Sequence, residues 1–271
     1  NGVLSYVKAA IGATHTLEEV FEETQRIVRW HYQWLVLHEF LPATIGATLA
    51  HDIATNGRKF FAWRNDPYIP VEFSVAAYRF GHSQVRPSYR ANFGTSATTP
   101  AQQFIALIFD PAAATPADPG DLRGGCRAPR RFIDWQTFFD FGDGRVRRNK
   151  KIDTALSSTL FHLMGMGTGT PDSLATRNLL RNLTMKLPSG QAVARAMQVP
   201  VLPPSALSDV AAQGLDERTP LWFYVLREAH KKGQGKRLGP VGGRIVGEVI
   251  QGLIEGDSQS YLTQDPGWTP D

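Results

Sequence analysis

Cysteine and long apolar runs are scarce in this sequence, and each scarcity excludes a kind of structure. Cys126 is the only cysteine among 271 residues, so no disulfide can form within the chain. No uninterrupted apolar stretch approaches the ~20 residues that a membrane-spanning helix requires, and we expect no membrane span. With 42% apolar and 20% charged residues, the composition is that of a chain that buries a substantial core.

The formal net charge of +4 raises the question of a nucleic-acid partner. The basic residues cluster at 127–131 and 145–151, in a connection rich in glycine and proline rather than on a surface interleaved with aromatic residues. The glycine-rich segment 233–239 lacks the G-x-x-x-x-G-K-[ST] spacing of a phosphate loop. We therefore interpret these segments as solvated loops and expect no nucleic-acid partner.

Histidines outside one segment do not form a metal-binding pattern. His38 begins like the zinc signature H-E-x-x-H, but Pro42 stands where the second histidine would be. His31 lies seven residues before His38, and we interpret both as packing or interface residues. His51 is interpreted as an exposed residue of a helix or loop.

The most informative segment runs from Pro70 to Pro87. Apolar residues at 73, 76, 77 and 80 recur at helical spacing, so we predict a buried helix that ends before Pro87. This helix carries His82 near its end and Arg79 three residues earlier. A neutral imidazole on a rigid apolar helix suits an axial haem ligand, and the arginine could meet a haem propionate. The alternative is a histidine that only packs in the core, and spacing alone does not decide between them.

Four segments share one family pattern in the same order along the chain. They are 22–42 with Glu39-Phe40-Leu41-Pro42 at its end, Arg79-Phe80-Gly81-His82, 173–190 with an N-x-x-R helix and a following L-P-x-G, and the glycine-rich turn 235–244. Together they resemble the animal-type haem peroxidases of the peroxidase–cyclooxygenase superfamily, and the last resembles bacterial members. The resemblance covers most of residues 17–262 and concerns the C-terminal, proximal portion of such an enzyme.

The resemblance implies a role for four residues. His82 is expected to be the proximal ligand of the iron of haem b, and Asn178 to accept the other imidazole N–H. Such a bond fixes the tautomer and makes the ligand more electron-rich. Arg79 and Arg181 are expected to pair with haem propionates. Arg79 and Asn178 are also expected to serve catalysis. The implied activity is a haem-dependent peroxidase, which uses hydrogen peroxide to oxidise organic or halide donors.

The chain departs from the family pattern in its opening residues. Residues 1–16 contain no distal histidine and arginine, no calcium loop and no acidic residues that esterify haem. His15 lies just outside a predicted helix start, where Thr16 and Glu19 predict a capping box. The resemblance therefore implies that a second polypeptide or a segment outside this sequence supplies the distal half, with calcium on that portion. The first residue is Asn1 rather than methionine, which agrees with a processed, split or truncated polypeptide.

Two other functions stay open at this point. A haem-peroxidase-like module without catalysis, acting as a structural or interaction domain, is favoured by the absent distal residues. A fatty-acid oxygenase of the superfamily would need a radical tyrosine three residues before the proximal histidine, where this chain has Arg79. Tyr78 lies one residue further away, so the pattern favours a peroxidase.

The predicted fold is mainly α, a haem-peroxidase-like helical domain with long irregular connections and little β. We expect residues 1–271 to form a single such domain, the proximal portion of the family fold. Helices are predicted at 17–38, 71–85, 151–164, 173–184, 190–198, 205–213, 219–231 and 239–255, and the connection 87–144 is predicted to be irregular.

Overall fold

The computed structural model describes residues 1–87, 135–163 and 167–270. Helices dominate these ranges, and the one β pairing found within them is an isolated bridge between Ser189 and Pro220. The prediction of a mainly α fold with little β is therefore confirmed. Across the part of the chain that the structure describes, no helix is both long and apolar enough to cross a bilayer.

The N-terminal part consists of four helices and a π-helical turn. They are α1 (Gly2–Ile11), α2 (Leu17–Leu35), the π-helical turn Val36–Phe40, α3 (Leu41–Ile45) and α4 (Ala47–Asn56). The predicted capping box begins α2: the Glu19 backbone N–H donates to Thr16 Oγ1 at 3.3 Å, and the Thr16 N–H donates to Glu19 Oε2 at 2.7 Å.

The C-terminal part contains five helices. They are α5 (Leu174–Thr184), α6 (Gly190–Ala196), α7 (Leu221–Gly233), α8 (Pro240–Glu255) and α9 (Tyr261–Gln264). Short 3₁₀ turns connect them or precede them, at Trp135–Thr137, Ser158–Leu160, Pro204–Ala206 and Ser208–Gln213.

The core is built around α8, which packs against α3, α4 and α7. Its apolar residues face neighbours nearly all round the helix, and Val241 and Val246 are fully buried. Close approach requires glycine in places: a Cβ at position 247 would lie 2.6 Å from the side chains of both Ile45 and Ile53. The apolar residues Ile245, Val246, Val249 and Ile250 of this helix are all buried.

A buried carboxylate joins α8 to the segment that leads to the histidine. Glu248 accepts backbone N–H groups from Lys59, Phe60 and Phe61 at 2.7–3.0 Å, and Arg244 donates to it at 3.3 Å. These bonds satisfy the charge of a side chain that is only 1% exposed. The loop before residue 70 is thereby fixed to the core.

Some predicted helices are wrong. In the described part of 151–164 only Ser158–Leu160 is helical, because Asp153 Oδ1 accepts the Ala155 N–H and holds the chain in a turn. Residues 205–213 form 3₁₀ turns rather than an α-helix, and the sequence does not predict the helices α1, α3, α4 and α9. Most of the predicted irregular connection 87–144 lies outside the described residues.

Candidate functional site

The site begins with the predicted helix that carries His82, which we call the histidine segment (residues 72–84). It is not a continuous α-helix: a π-helical turn, Glu72–Ala76, is followed by a 3₁₀-helix, Ala77–Gln84. Ala76, with φ −123° and ψ −75°, marks the junction. The four predicted apolar positions 73, 76, 77 and 80 are all buried, as the pattern indicates.

The 3₁₀ geometry decides where Arg79 lies relative to His82. Three residues complete one turn of such a helix, so side chains three positions apart lie above one another. Arg79 Nε donates to the Ser74 carbonyl at 3.0 Å, across the junction between the two helical forms. Arg79 and His82 therefore share a face of the segment, as predicted, although the segment is a 3₁₀-helix here and not an α-helix.

His82 meets Asn178 of α5. His82 Nδ1 and Asn178 Nδ2 are 2.9 Å apart, although 96 residues separate the two in sequence. Asn178 is fully buried, and its Oδ1 has no hydrogen-bond partner. A half-turn of the amide places Oδ1 against Nδ1 instead, and the buried oxygen then accepts the imidazole N–H. In that arrangement His82 Nε2 carries a free lone pair, and no described residue donates a hydrogen bond to it.

Three guanidinium groups converge beside this pair. Arg177 and Arg181 are one turn apart on α5 and half-buried, and both act on Arg79. Burial, followed by the charges of Arg181 and Arg177, lowers the pKa of Arg79. Within the described ranges, neither Arg79 nor Arg181 forms an ion pair with a carboxylate. The cluster is thus a concentration of positive charge suited to an anionic ligand.

The imidazole of His82 is held in its neutral form. Burial, followed by the charges of Arg79 and Arg181, lowers the pKa of His82 to about 4. A neutral ring at pH 7 keeps one nitrogen lone pair available, which is the state that metal ligation requires. The neutral imidazole is suited to ligating a metal, and the arginine cluster beside it is suited to binding an anion.

Tyr78 packs among aromatic rings of the histidine segment. Its ring stacks on Phe73 at 4.6 Å between centroids and meets the edge of Phe80. The side chain is 45% exposed. Burial of the rest, followed by the nearby Tyr32 phenol, raises the pKa of Tyr78.

The other histidines weighed in the sequence analysis make packing contacts or lie at the surface. His38 stacks on Trp34 and lies 3.1 Å from the Tyr261 hydroxyl, while His31 meets the edge of Trp268. These contacts confirm the interpretation of both as packing residues. His51 is exposed on α4, and His15 Nδ1 is hydrogen-bonded to Thr14 just before α2 begins.

Sequence reasoning missed Arg177, the third member of the arginine cluster. Its position one turn before Arg181 was a usable signal, because residues four apart share a helix face. The sequence does not predict that α5 lies close to the histidine segment, because this depends on how both pack against α7.

Three comparisons with known proteins bear on this geometry. The family model described as animal haem peroxidase matches residues 9–124, a range that includes the histidine segment but not α5. No curated protein sequence matches the chain at a significant level. Among solved structures, peroxidase A from Dictyostelium discoideum matches with a TM-score of 0.60 and 19% sequence identity.

The structural match covers 96% of this chain and 47% of peroxidase A, so the chain spans about half the length of the structure it matches. At this identity the likeness concerns the fold. The family model over residues 9–124 and the matching fold both support a likeness to the animal-type haem peroxidases.

Proposed function

We propose that the chain is the haem-binding proximal portion of a peroxidase that uses hydrogen peroxide to oxidise organic or halide donors. The observation that carries the proposal is the 2.9 Å contact of His82 with buried Asn178, beside Arg79 and Arg181, neither of which forms an ion pair with a carboxylate of the described residues. The match to the animal haem peroxidase family model supports the class of enzyme, and the activity of this chain, its donors and its residue roles belong to the proposal.

The residues fit haem b. His82 offers a neutral imidazole whose Nε2 has no hydrogen-bond partner among the described residues, and Asn178 Oδ1 is a buried acceptor that needs a donor. Arg79 and Arg181 match the two carboxylates of the haem edge, because a guanidinium binds a carboxylate through two parallel hydrogen bonds. Bound haem would supply the iron at which peroxide is reduced and donors are oxidised.

Each residue has a separate task in this proposal. Asn178 accepts the N–H at His82 Nδ1, which fixes the ring orientation and makes Nε2 more basic, so that Nε2 would be the atom that binds the iron. Arg79 and Arg181 hold the carboxylates, and their mutual repulsion is offset when the anions bind. Ser74 positions Arg79 through its carbonyl.

The distal elements are assigned to polypeptide outside residues 1–271. A distal base, a distal arginine and calcium would be supplied there, either by a second polypeptide or by a further segment of this one. We propose that residues 1–271 form a single proximal domain to which that portion is added.

A non-catalytic haem-peroxidase-like module is the second candidate function. It is favoured by one observation: the remaining histidines of the chain lie at the surface or in packing contacts, so none is offered as a distal base. The two candidates share the haem site and differ in turnover.

The test uses the protein isolated with everything that naturally accompanies it. In this assembly His82→Ala is expected to lower the haem-to-protein ratio at least tenfold and to abolish the Soret band, because the iron loses its protein ligand. His51→Ala, on the exposed face of α4, is the matched control and is expected to retain both.

Retention of haem and peroxide turnover by His82→Ala would overturn the proposal. Haem bound through His82 without turnover of any peroxide-dependent donor would favour the non-catalytic module instead. Asn178→Ala separates the ligand from its orienting partner: haem is expected to remain bound while its absorption bands shift.

A further inference from the structure

An apolar seam runs along the outside of α2. Its members are apolar or aromatic side chains between 46% and 75% exposed, namely Leu17, Phe21, Val28, Tyr32 and Leu35. Val20 and Trp30 of the same helix are buried in the molecule, Val20 about 90° around the axis from the centre of the seam and Trp30 on the opposite side. The helix is therefore packed over part of its circumference and bare along the seam.

The seam is regular. With 3.6 residues per turn, its five members lie within about 60° around the helix axis and extend along about 27 Å of it. Positions 21, 28 and 35 repeat every seven residues, which is the spacing of a helix-packing seam. Polar side chains, among them Gln25 and Arg29, lie along one edge. An apolar centre with a polar border is how a protein–protein interface is organised.

An exposed stripe of this length is costly in water unless something covers it. Contiguous apolar patches on a protein surface mark sites of interaction. Isolated exposed side chains need no such explanation. The question is therefore what lies on the seam.

The comparison with a solved peroxidase supplies the occupant. Nearly all of this chain matches 47% of peroxidase A, so more than half of that protein has no counterpart in residues 1–271. In a protein of the size of peroxidase A, about as much polypeptide again lies outside the matched portion. The seam is a long apolar surface on which such a portion could pack.

The seam also leads to the candidate site. Its C-terminal end includes Tyr32, whose phenol is close enough to raise the pKa of Tyr78. Tyr78 belongs to the histidine segment, four residues before His82. Polypeptide lying on the seam would consequently end beside the segment that carries the imidazole.

We infer that the α2 seam is the docking surface for the part of the peroxidase fold that lies outside residues 1–271. This inference extends the proposed function, because it names the surface on which the distal portion is held. The contact is made by an apolar helix or pair of helices that lies along positions 17–35.

Photocrosslinking in the complete assembly tests the inference. Val28 is replaced by p-benzoylphenylalanine, and Glu22, exposed about 120° away on the same helix, carries the same group in a matched control. We expect position 28 to crosslink to sequence outside 1–271 that matches the animal haem peroxidase family. Position 22 is expected to give less than a tenth of that yield.

A pair of charge variants measures how much the seam contributes to the association with that portion. Val28→Glu is expected to weaken association with that portion about tenfold or more, or to lower the melting temperature of the complete protein where the portion is covalently continuous. Ala54→Glu, at an exposed position of α4, is expected to change neither. In the isolated chain both variants should melt within a few degrees of the parent, because neither position is buried.

Four results would overturn the inference: crosslinks to a second copy of this chain, crosslinks to its residues 88–134, crosslinks to an unrelated protein, or equal yields from positions 22 and 28. The haem spectrum of the same sample separates this failure from that of the proposed function. Haem bound through His82 with no crosslink from the seam would reject only the docking surface. A crosslink without haem would reject only the haem site.

Discussion

Helices α2 and α8 have similar apolar character on at least one face, yet the molecule uses them in opposite ways. On α8 the apolar residues from Val241 to Ile254 are buried against α3, α4 and α7. On α2 the seam residues are left in solvent while other positions reach the core. The difference teaches that an apolar stripe identifies a packing surface without identifying the partner that packs on it.

The two helices also begin differently. Thr16 and Glu19 close a capping box on α2, and backbone and side-chain hydrogen bonds from Thr16 lower the pKa of Glu19. At α8 no N-cap side chain is used, and the buried carboxylate of Glu228, reaching over from α7, accepts the N–H groups of Val241 and Gly242 at 3.0 and 3.3 Å. One helix start is satisfied locally and the other by tertiary structure.

A matched pair of leucines, one in the core beside α8 and one on the α2 seam, gives the largest expected difference in stability. Leu226→Ala on α7, at a fully buried position facing the core, should lower the free energy of unfolding by about 2–5 kcal/mol, since it leaves a cavity. Leu35→Ala removes the same atoms from a side chain that is 46% exposed, and should change it by about 0.5 kcal/mol or less in the isolated chain. Urea denaturation of both variants measures this, and equal losses would contradict the distinction.

The buried carboxylate of Glu228 should make α8 sensitive to pH. Burial raises the pKa of Glu228 to about 7, against the opposing effect of the two N–H groups. Because the folded pKa lies above the unfolded value of 4.5, this group's contribution to stability is fully present below pH 4.5 and is lost as the pH rises through 7.

Glu228→Gln supplies the control, because its amide is neutral at every pH and its carbonyl can still accept the N–H groups. Relative to this variant, the parent chain should lose about 1–3 kcal/mol of unfolding free energy between pH 4.5 and pH 8. Thermal or chemical denaturation across that range measures the difference. Parallel pH profiles for the two proteins would show that the carboxylate titrates normally.

The smallest expected effect concerns the local start of α2. Thr16→Ala removes the acceptor for the Glu19 N–H and should cost about 1 kcal/mol. Thr176→Ala, at an exposed position in the first turn of α5, serves as control and should be close to neutral. Hydrogen exchange of the first turn of α2 shows where the loss falls, and protection unchanged in Thr16→Ala would mean that packing alone holds this helix start.

Much of the fold could be predicted from local patterns. The helices α2, α5, α6, α7 and α8 follow from apolar periodicity and caps, and they lie within a few residues of their predicted bounds. The predicted helix at 151–164 failed because Asp153 competes for the backbone through its own side chain. The histidine segment was predicted as α-helical, and its change from π to 3₁₀ geometry at Ala76 has no signal in the residue pattern.

The candidate site was also predicted only in part, because its residues could be named from the sequence but their contacts could not. The spacing of residues indicated His82 and Arg79, and the family resemblance implied Asn178 and Arg181. Three of these four carry groups suited to a metal or an anion regardless of fold. The approach of Asn178 to His82 requires α5 and the histidine segment to meet, and no local pattern encodes a contact across 96 residues. Their roles toward haem stay predictions until the variants are measured.

The sequence by itself determined which residues form helices and which side chains can hold an anion or a metal, because propensity, periodicity and side-chain chemistry are local properties. Only the tertiary structure decided which apolar face is buried, as on α8, and which is left bare, as on α2. It also lowered the pKa of His82 and raised that of Glu228. The physical reason is that burial and the approach of distant charges depend on how the helices pack, and a pattern along the chain does not specify that packing.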